Sequence, residues 1–428
     1  AALLAALGLL AAHVVAGGAV ETVTGGWPAG LGIRLRADAL GVVFAFASAG
    51  LAVVTLAYEL RPGRETPVFP ALVLLQATGL TGLFLTGDAF NFYVFFEISM
   101  ISGFALAGYG PGRATARAAV VFVLVNLLGS VFFLVGVAAL YRLGGTLDMA
   151  ALAEALAQAP AASRRLVGAL LLSAFGLKLG LFPFHFWLPQ VYRGVQPAVA
   201  ALLAGALANL ASYGLLRFGS SVLARASLEG RGLLLVLGCA SILYGGVLAV
   251  SRADVREVLA YSAIGQVGYT FVAFALATPA AFTAAVLYSL VNSLNKTALF
   301  LAAGVRGLWV GPAFALGALS AAGLPPSAGF VAKVSVFRAA LGADAPWVLA
   351  VLLTGSALSL VYMVRIHQRR HWHAARAGAG ADGPAGSPAV ARAAVAVLAL
   401  VILGLGAWPE PLVRWSVRAA QAAGGGLP

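Results

Sequence analysis

The chain has 428 residues, of which 61% are hydrophobic and only 10% charged. A soluble domain carries about 25% charged residues, so a soluble enzyme, a nucleic-acid binder and a disordered chain are all excluded. The 27 basic residues against 14 acidic ones give a net charge of +13, an excess that in a lipid-embedded chain anchors loops rather than binding nucleic acid. The single cysteine, Cys239, excludes an intrachain disulfide, a cysteine zinc cluster and an iron–sulfur site. Fifty-two glycines and 19 prolines fit such a chain, because transmembrane helices tolerate both. The class is all-α, a polytopic transmembrane helix bundle.

A helix needs about 20 apolar residues to cross the hydrocarbon core. Runs of that kind occupy 1–17, 39–60, 68–86, 88–109, 118–141, 164–186, 197–219, 232–250, 255–277, 280–304, 311–339, 344–367 and 389–408, about thirteen spans by that length criterion. The first run starts without Met or a basic flank, which reads as a fragment lacking an earlier helix rather than a signal peptide. Residues 144–162 predict a short amphipathic surface helix with Asp148 and Glu154 exposed, and 369–390 a Gly/Ala/Pro-rich loop, expected to be mobile. Arginines favour the side holding Arg61, Arg64, Arg113, Arg117, Arg193, Arg252, Arg256, Arg306 and the 365–376 cluster. That side is taken as cytoplasmic, which puts the C-terminus outside.

Lysine behaves differently from arginine. The only three, Lys178, Lys296 and Lys333, all lie within apolar spans, whereas the arginines sit in loops or near span ends. A buried ammonium can release its proton and a guanidinium cannot, so this segregation predicts proton-exchanging sites; chance placement or structural pairing is the bland alternative. Among the acids, Glu97 stands deep in an apolar span, where an ammonium such as Lys178 would keep it ionised. Asp88 reads as a cap or loop contact at the membrane edge. The spans of Lys178 and Lys333 are interrupted by Pro183 and by Pro325 and Pro326. A proline frees a carbonyl and kinks a helix, and two broken helices in comparable places of two halves point to an inverted-repeat transporter.

Other polar positions carry less. His185 reads equally as a relay or an interfacial histidine, and His13 as structural. His367, His371 and His373 are a weak metal pattern. Asn209, Ser289, Asn292, Ser293 and Asn295 either make interhelical hydrogen bonds or line a water path. There is no P-loop, dinucleotide turn, haem-ligating pair or nucleophile triad, so no cofactor, metal, redox centre or covalent catalysis is expected.

The segments LTGDAFNFYVFFEISMISGFALAGYG, SAFGLKLGLFPFHFWLP, SRADVREVLAYSAIGQVGY, NKTALFLAAG and GALSAAGLPPSAGFVAK resemble the proton-translocating antiporter module. Mrp-type Na+/H+ antiporters, respiratory complex I and membrane-bound hydrogenases share it. The TGD-x-FN-x-x-VFFE wording is most similar to the D-type component of the Mrp antiporter, and the likeness runs along nearly the whole chain. It implies a fourteen-helix fold with two inverted five-helix repeats, at about 68–218 and 232–368 here. It also implies that 24–40 is the linker before the third family helix, which accounts for a missing first helix. By the resemblance, Glu97, Lys178, Lys296 and Lys333 are the carboxylate and lysines of a hydrated midplane axis. Three positions depart from the pattern: the bridging lysine of the eighth helix is Asn209, the histidines near Asn292 and Ser293 are these residues instead, and the linker before the broken twelfth helix is reduced to RGLWVGP. An amide holds water but carries no proton near neutral pH.

The resemblance implies a proton-conducting subunit of a multisubunit Na+/H+ antiporter. It would sit with partner membrane subunits in a bacterial inner (plasma) membrane and handle H+ and Na+, with no nucleic acid involved. Alternatives are a proton-pumping, non-redox subunit of complex I or a hydrogenase, and a scaffold that has lost conduction.

Overall fold

The computed structural model describes residues 2–27, 32–59, 67–307, 309–372 and 388–423. Among the singled-out residues, Arg61, Arg64 and His373 lie outside this set, as do the side chain of His371 and the greater part of the 369–390 loop.

The apolar runs fold as α1 (Ala2–Gly17), α2 (Ala39–Glu59), α3 (Val68–Phe84), α4 (Ala89–Ala107) and α5 (Arg113–Gly144), and α6 (Met149–Gln158) forms the short amphipathic helix. Asp148 caps α6 by accepting from the Ala150 and Ala151 N–H groups, as acids at helix starts do. Contrary to the expectation from sequence, Asp148 is not exposed: Arg34 Nε lies 2.9 Å from its carboxylate and it is largely buried. Asp88 caps α4 through the Asn91 N–H at 2.7 Å, the bland role expected of it.

The run at 164–186 divides into α7 (Ala161–Leu179), a short 3₁₀ turn (Phe184–Trp187) and α8 (Leu188–Gly194). The run at 197–219 also breaks, into α9 (Pro197–Ala204) and α10 (Ala208–Ser220), where the sequence predicts one helix. Then come α11 (Ala224–Ser251), α12 (Val255–Ala275), α13 (Pro279–Gly304), α14 (Val310–Ala322), α15 (Ala328–Gly342), α16 (Pro346–His367) and α17 (Ala389–Ala407). Among the described residues, a hairpin and a further α-helix have no counterpart in the sequence reading. The hairpin sets β1 (Val20–Val23) against β2 (Arg34–Ala37), with Val20 opposite Ala37; the helix is α18 (Glu410–Ala423).

Among the described residues, nine helices or helix runs are long and apolar enough to cross a bilayer, and Ala2–Gly17, Val68–Phe84 and Val310–Ala322 are shorter apolar helices. The 26-residue α13 is not among them, because Asn292, Asn295 and Lys296 dilute its apolar character. Its face is covered instead by α9, α10, α12, α14, α15, α17 and α18, so α13 is a protein-enclosed helix at the centre of the bundle.

Candidate functional site

The site is built on interruptions. In α7 the helix ends at Leu179 because Gly180 turns left-handed (φ 70), a conformation glycine adopts without penalty. The Leu181 N–H then closes onto the Gly176 carbonyl at 2.8 Å, and Trp187 Nε1 donates to the Leu177 carbonyl at 3.1 Å. In the other half Gly323 does the same (φ 86), with its N–H on the Leu319 and Ser320 carbonyls. Both breaks read Gly-Leu-x-Pro, at 180–183 and 323–326. Each exposes a helix C-terminus, where partial negative charge favours a cation.

The lysines occupy those ends. Lys178 sits in the last turn of α7, 8% exposed. Its Nζ donates to Ser130 Oγ at 3.3 Å and lies 3.9 Å from the Phe96 ring centroid, a favourable cation–π position. Lys333, on α15 and 2% exposed, donates across to the Ala322 carbonyl that ends α14, at 3.1 Å, and lies over Tyr269. Lys296 on α13 is 7% exposed and has no hydrogen bond or ion pair among the described residues. The helices form a continuous packed series, α4 on α5, α5 on α7, α7 on α10, α10 on α13 and α13 on α15.

Glu97 on α4 is half-buried, and its Oε1 has no hydrogen-bond partner. No ion pair within contact distance joins it to Lys178, yet it is close enough for its charge to act on that ammonium. Asp38, at the start of α2 and only 1% exposed, is a second buried acid that the sequence reading did not single out. Arg217 of α10 grips Asp38 bidentately at 2.7 and 2.6 Å. The Gly41 N–H and Arg36 also bond Asp38, and Arg217 Nε donates to Tyr213. Burial raises the Asp38 carboxyl, but Arg217, Gly41 and Arg36 outweigh it and hold it below the ordinary carboxylate value.

A polar cavity of about 10 Å³ lies beside Lys333, lined by Gln266, Tyr288, Asn292, Asn295 and Ser320 among others, room for about one water. Asn295 Oδ1 is buried there without a partner, and Tyr288 donates to Gln266. Asn292 and Asn295 therefore join Lys333, while Ser289 pairs with Thr270 at 3.4 Å. Ser293 bonds its own helix at Leu290 and lines a separate apolar cleft. Asn209 donates to Ser48 of α2 at 3.0 Å. His185 stacks on Phe182 and lies tilted against Tyr244, with Nδ1 buried and unpartnered. Sequence reasoning missed Gln266, Ser130 and the Asp38–Arg217 pair; a lone amide inside an apolar helix was the available signal for Gln266.

The family model for NADH:quinone oxidoreductase/Mrp antiporter transmembrane proteins matches residues 86–307. The chain belongs to that family. It is 31% identical over 385 residues to the D-type component of the Na(+)/H(+) antiporter of Alkalihalophilus pseudofirmus, covering 85% of this chain and 78% of the relative. It is 35% identical over 385 residues to the N-type component of the NADH-quinone oxidoreductase of Desulforudis audaxviator, covering 83% and 76%. Its backbone superposes on a chain of the Mrp complex from a Dietzia species with a TM-score of 0.86, at 27% identity, over 99% of this chain and 94% of that one. Membership of this family and the apolar helices make it a multi-pass membrane protein.

Proposed function

We propose that the chain is the proton-conducting subunit of a multisubunit Na+/H+ antiporter, moving H+ along Glu97, Lys178, Lys296 and Lys333. The observation that carries this is the confinement of all three lysines to the buried interior, two of them at broken-helix ends. In that environment an amine is the cationic group able to exchange protons. Glu97 supplies negative charge across a gap rather than a tight pair, so its influence on Lys178 is adjustable by small movements. With the carboxylate charge present, the proton rests on Lys178; screening that charge sends it through water toward Lys296 and Lys333. The matched Gly-Leu-x-Pro breaks support two inverted halves at about 68–218 and 232–368, with Asn209, His185, Ser289, Asn292 and Ser293 as the polar positions nearest the route. Of these, Asn292 has the best geometry, opening on the Lys333 cavity.

The test is proton uptake by vesicles holding the complete complex. Glu97→Ala and Lys178→Ala are each expected to abolish proton-coupled transport while the complex still assembles. Wild-type uptake in either variant rejects the reading. The 35% identity to a component of an NADH-quinone oxidoreductase favours a second reading, in which electron transfer in partner proteins drives proton pumping through this chain. Sodium-driven proton uptake in vesicles without any electron donor separates the two.

A further inference from the structure

An apolar cleft of about 580 Å³ opens between α1, α2, α13, α17 and α18. Along α2 its wall runs from Val42 to Val54, about 18 Å at 1.5 Å per residue, whereas half of a ~30 Å hydrocarbon core is about 15 Å. The cleft is therefore about as long as one leaflet is thick. Two wall positions are glycines, Gly8 and Gly50, and a Cβ added at either meets nothing within 4 Å. Both face empty space that close-packed protein interiors do not leave.

Part of the wall is α18, whose Pro411, Leu412 and Trp415 line the cleft. Arg418, one helical turn beyond Trp415 on the same face, is exposed and has no ion pair among the described residues; Arg414 pairs with Glu410. A tryptophan beside an exposed guanidinium is a pairing that receives a lipid headgroup.

We propose that this cleft binds an anionic glycerophospholipid, one acyl chain inserted along α2 and its phosphate at Arg418. The acyl chain would lie against Val291, which walls both the apolar cleft and the polar cavity of Lys333. The lipid thereby supplies the dry outer side of that cavity.

The test uses the complete complex in bilayers of phosphatidylglycerol or phosphatidylcholine with brominated acyl chains, which quench tryptophan on contact. The Trp415 contribution is the emission lost on Trp415→Phe. Brominated phosphatidylglycerol is expected to quench that contribution at several-fold lower mole fraction than the phosphatidylcholine. Gly50→Phe, or Gly8→Leu from the neighbouring α1, fills the cleft and removes the preference, and Arg418→Gln equalises the two lipids. Equal quenching by both lipids in the wild type overturns the proposal, as does quenching unchanged by both filling variants. Loss of a partner subunit from the filled variants also overturns it, because a protein helix would then be the occupant.

Discussion

The Lys178 ammonium has one hydroxyl, one ring face and a carboxylate beyond contact distance, too little to lock a charge permanently in a low-dielectric interior. Arginine at the same place would keep its proton at any working pH. Lys178→Arg is therefore expected to preserve charge and assembly yet cut proton uptake on the order of a hundredfold or more, the usual worth of a positioned proton-transfer group. Asp38 is the opposite design: every oxygen is engaged by Arg217, Arg36 or the Gly41 N–H. Asp38→Asn strands a buried guanidinium and should cost about 3–5 kcal/mol, read as a lower melting temperature of the complex. Because the folded carboxyl lies below its ordinary value, its stabilisation is complete above about pH 4 and is lost as pH falls through the lower folded value. Acid melting curves of the wild type should contain this loss and those of Asp38→Asn should lack it.

At the scale of elements, the α9–α10 break shows what a single glycine does. A Cβ at Gly205 would collide with Thr297 Oγ1 and stand 2.8 Å from the Ala201 carbonyl, so α13 approaches here, at the residue after Lys296, only because position 205 has no side chain. Gly205→Ala is expected to destabilise the complex by about 1–3 kcal/mol through overpacking. Gly404→Ala, where an added Cβ meets nothing, should leave the melting temperature unlowered. This break was illegible in the sequence because glycine alone does not end a membrane helix, whereas Pro183 and Pro325–Pro326 announced the other two. The buried lysines were legible through their segregation from arginine. The Asp38–Arg217 pair was not, because each partner sits at the edge of an apolar run and looks like a loop anchor until α2 and α10 are seen side by side. The β-hairpin and α18 escaped for a related reason: both are too short and too polar to register as spans.

On the scale of the whole molecule, the first half keeps its two polar centres apart with rings. From Lys178 over Phe96, contacts pass to Phe133 at 5.5 Å, Phe92 at 5.5 Å and Tyr213 at 6.3 Å, and end at Arg217. Phe44, Phe84, Phe175 and Phe218 flank this stack, all fully buried. Such a packed apolar layer leaves no room for water, so among the described residues this layer separates Lys178 from the Asp38 end of the bundle. Phe92 touches Phe133, Phe175, Tyr213 and Phe218 at once, so its removal opens a gap in the middle of the stack. Phe92→Ser is expected to admit water and to raise passive proton leak in vesicles that have no sodium gradient. If the leak runs through the polar axis, adding Lys178→Ala to Phe92→Ser should suppress it. A leak that persists in the double variant, or none in the single one, means that the rings only fill space and that the barrier lies elsewhere in the bundle.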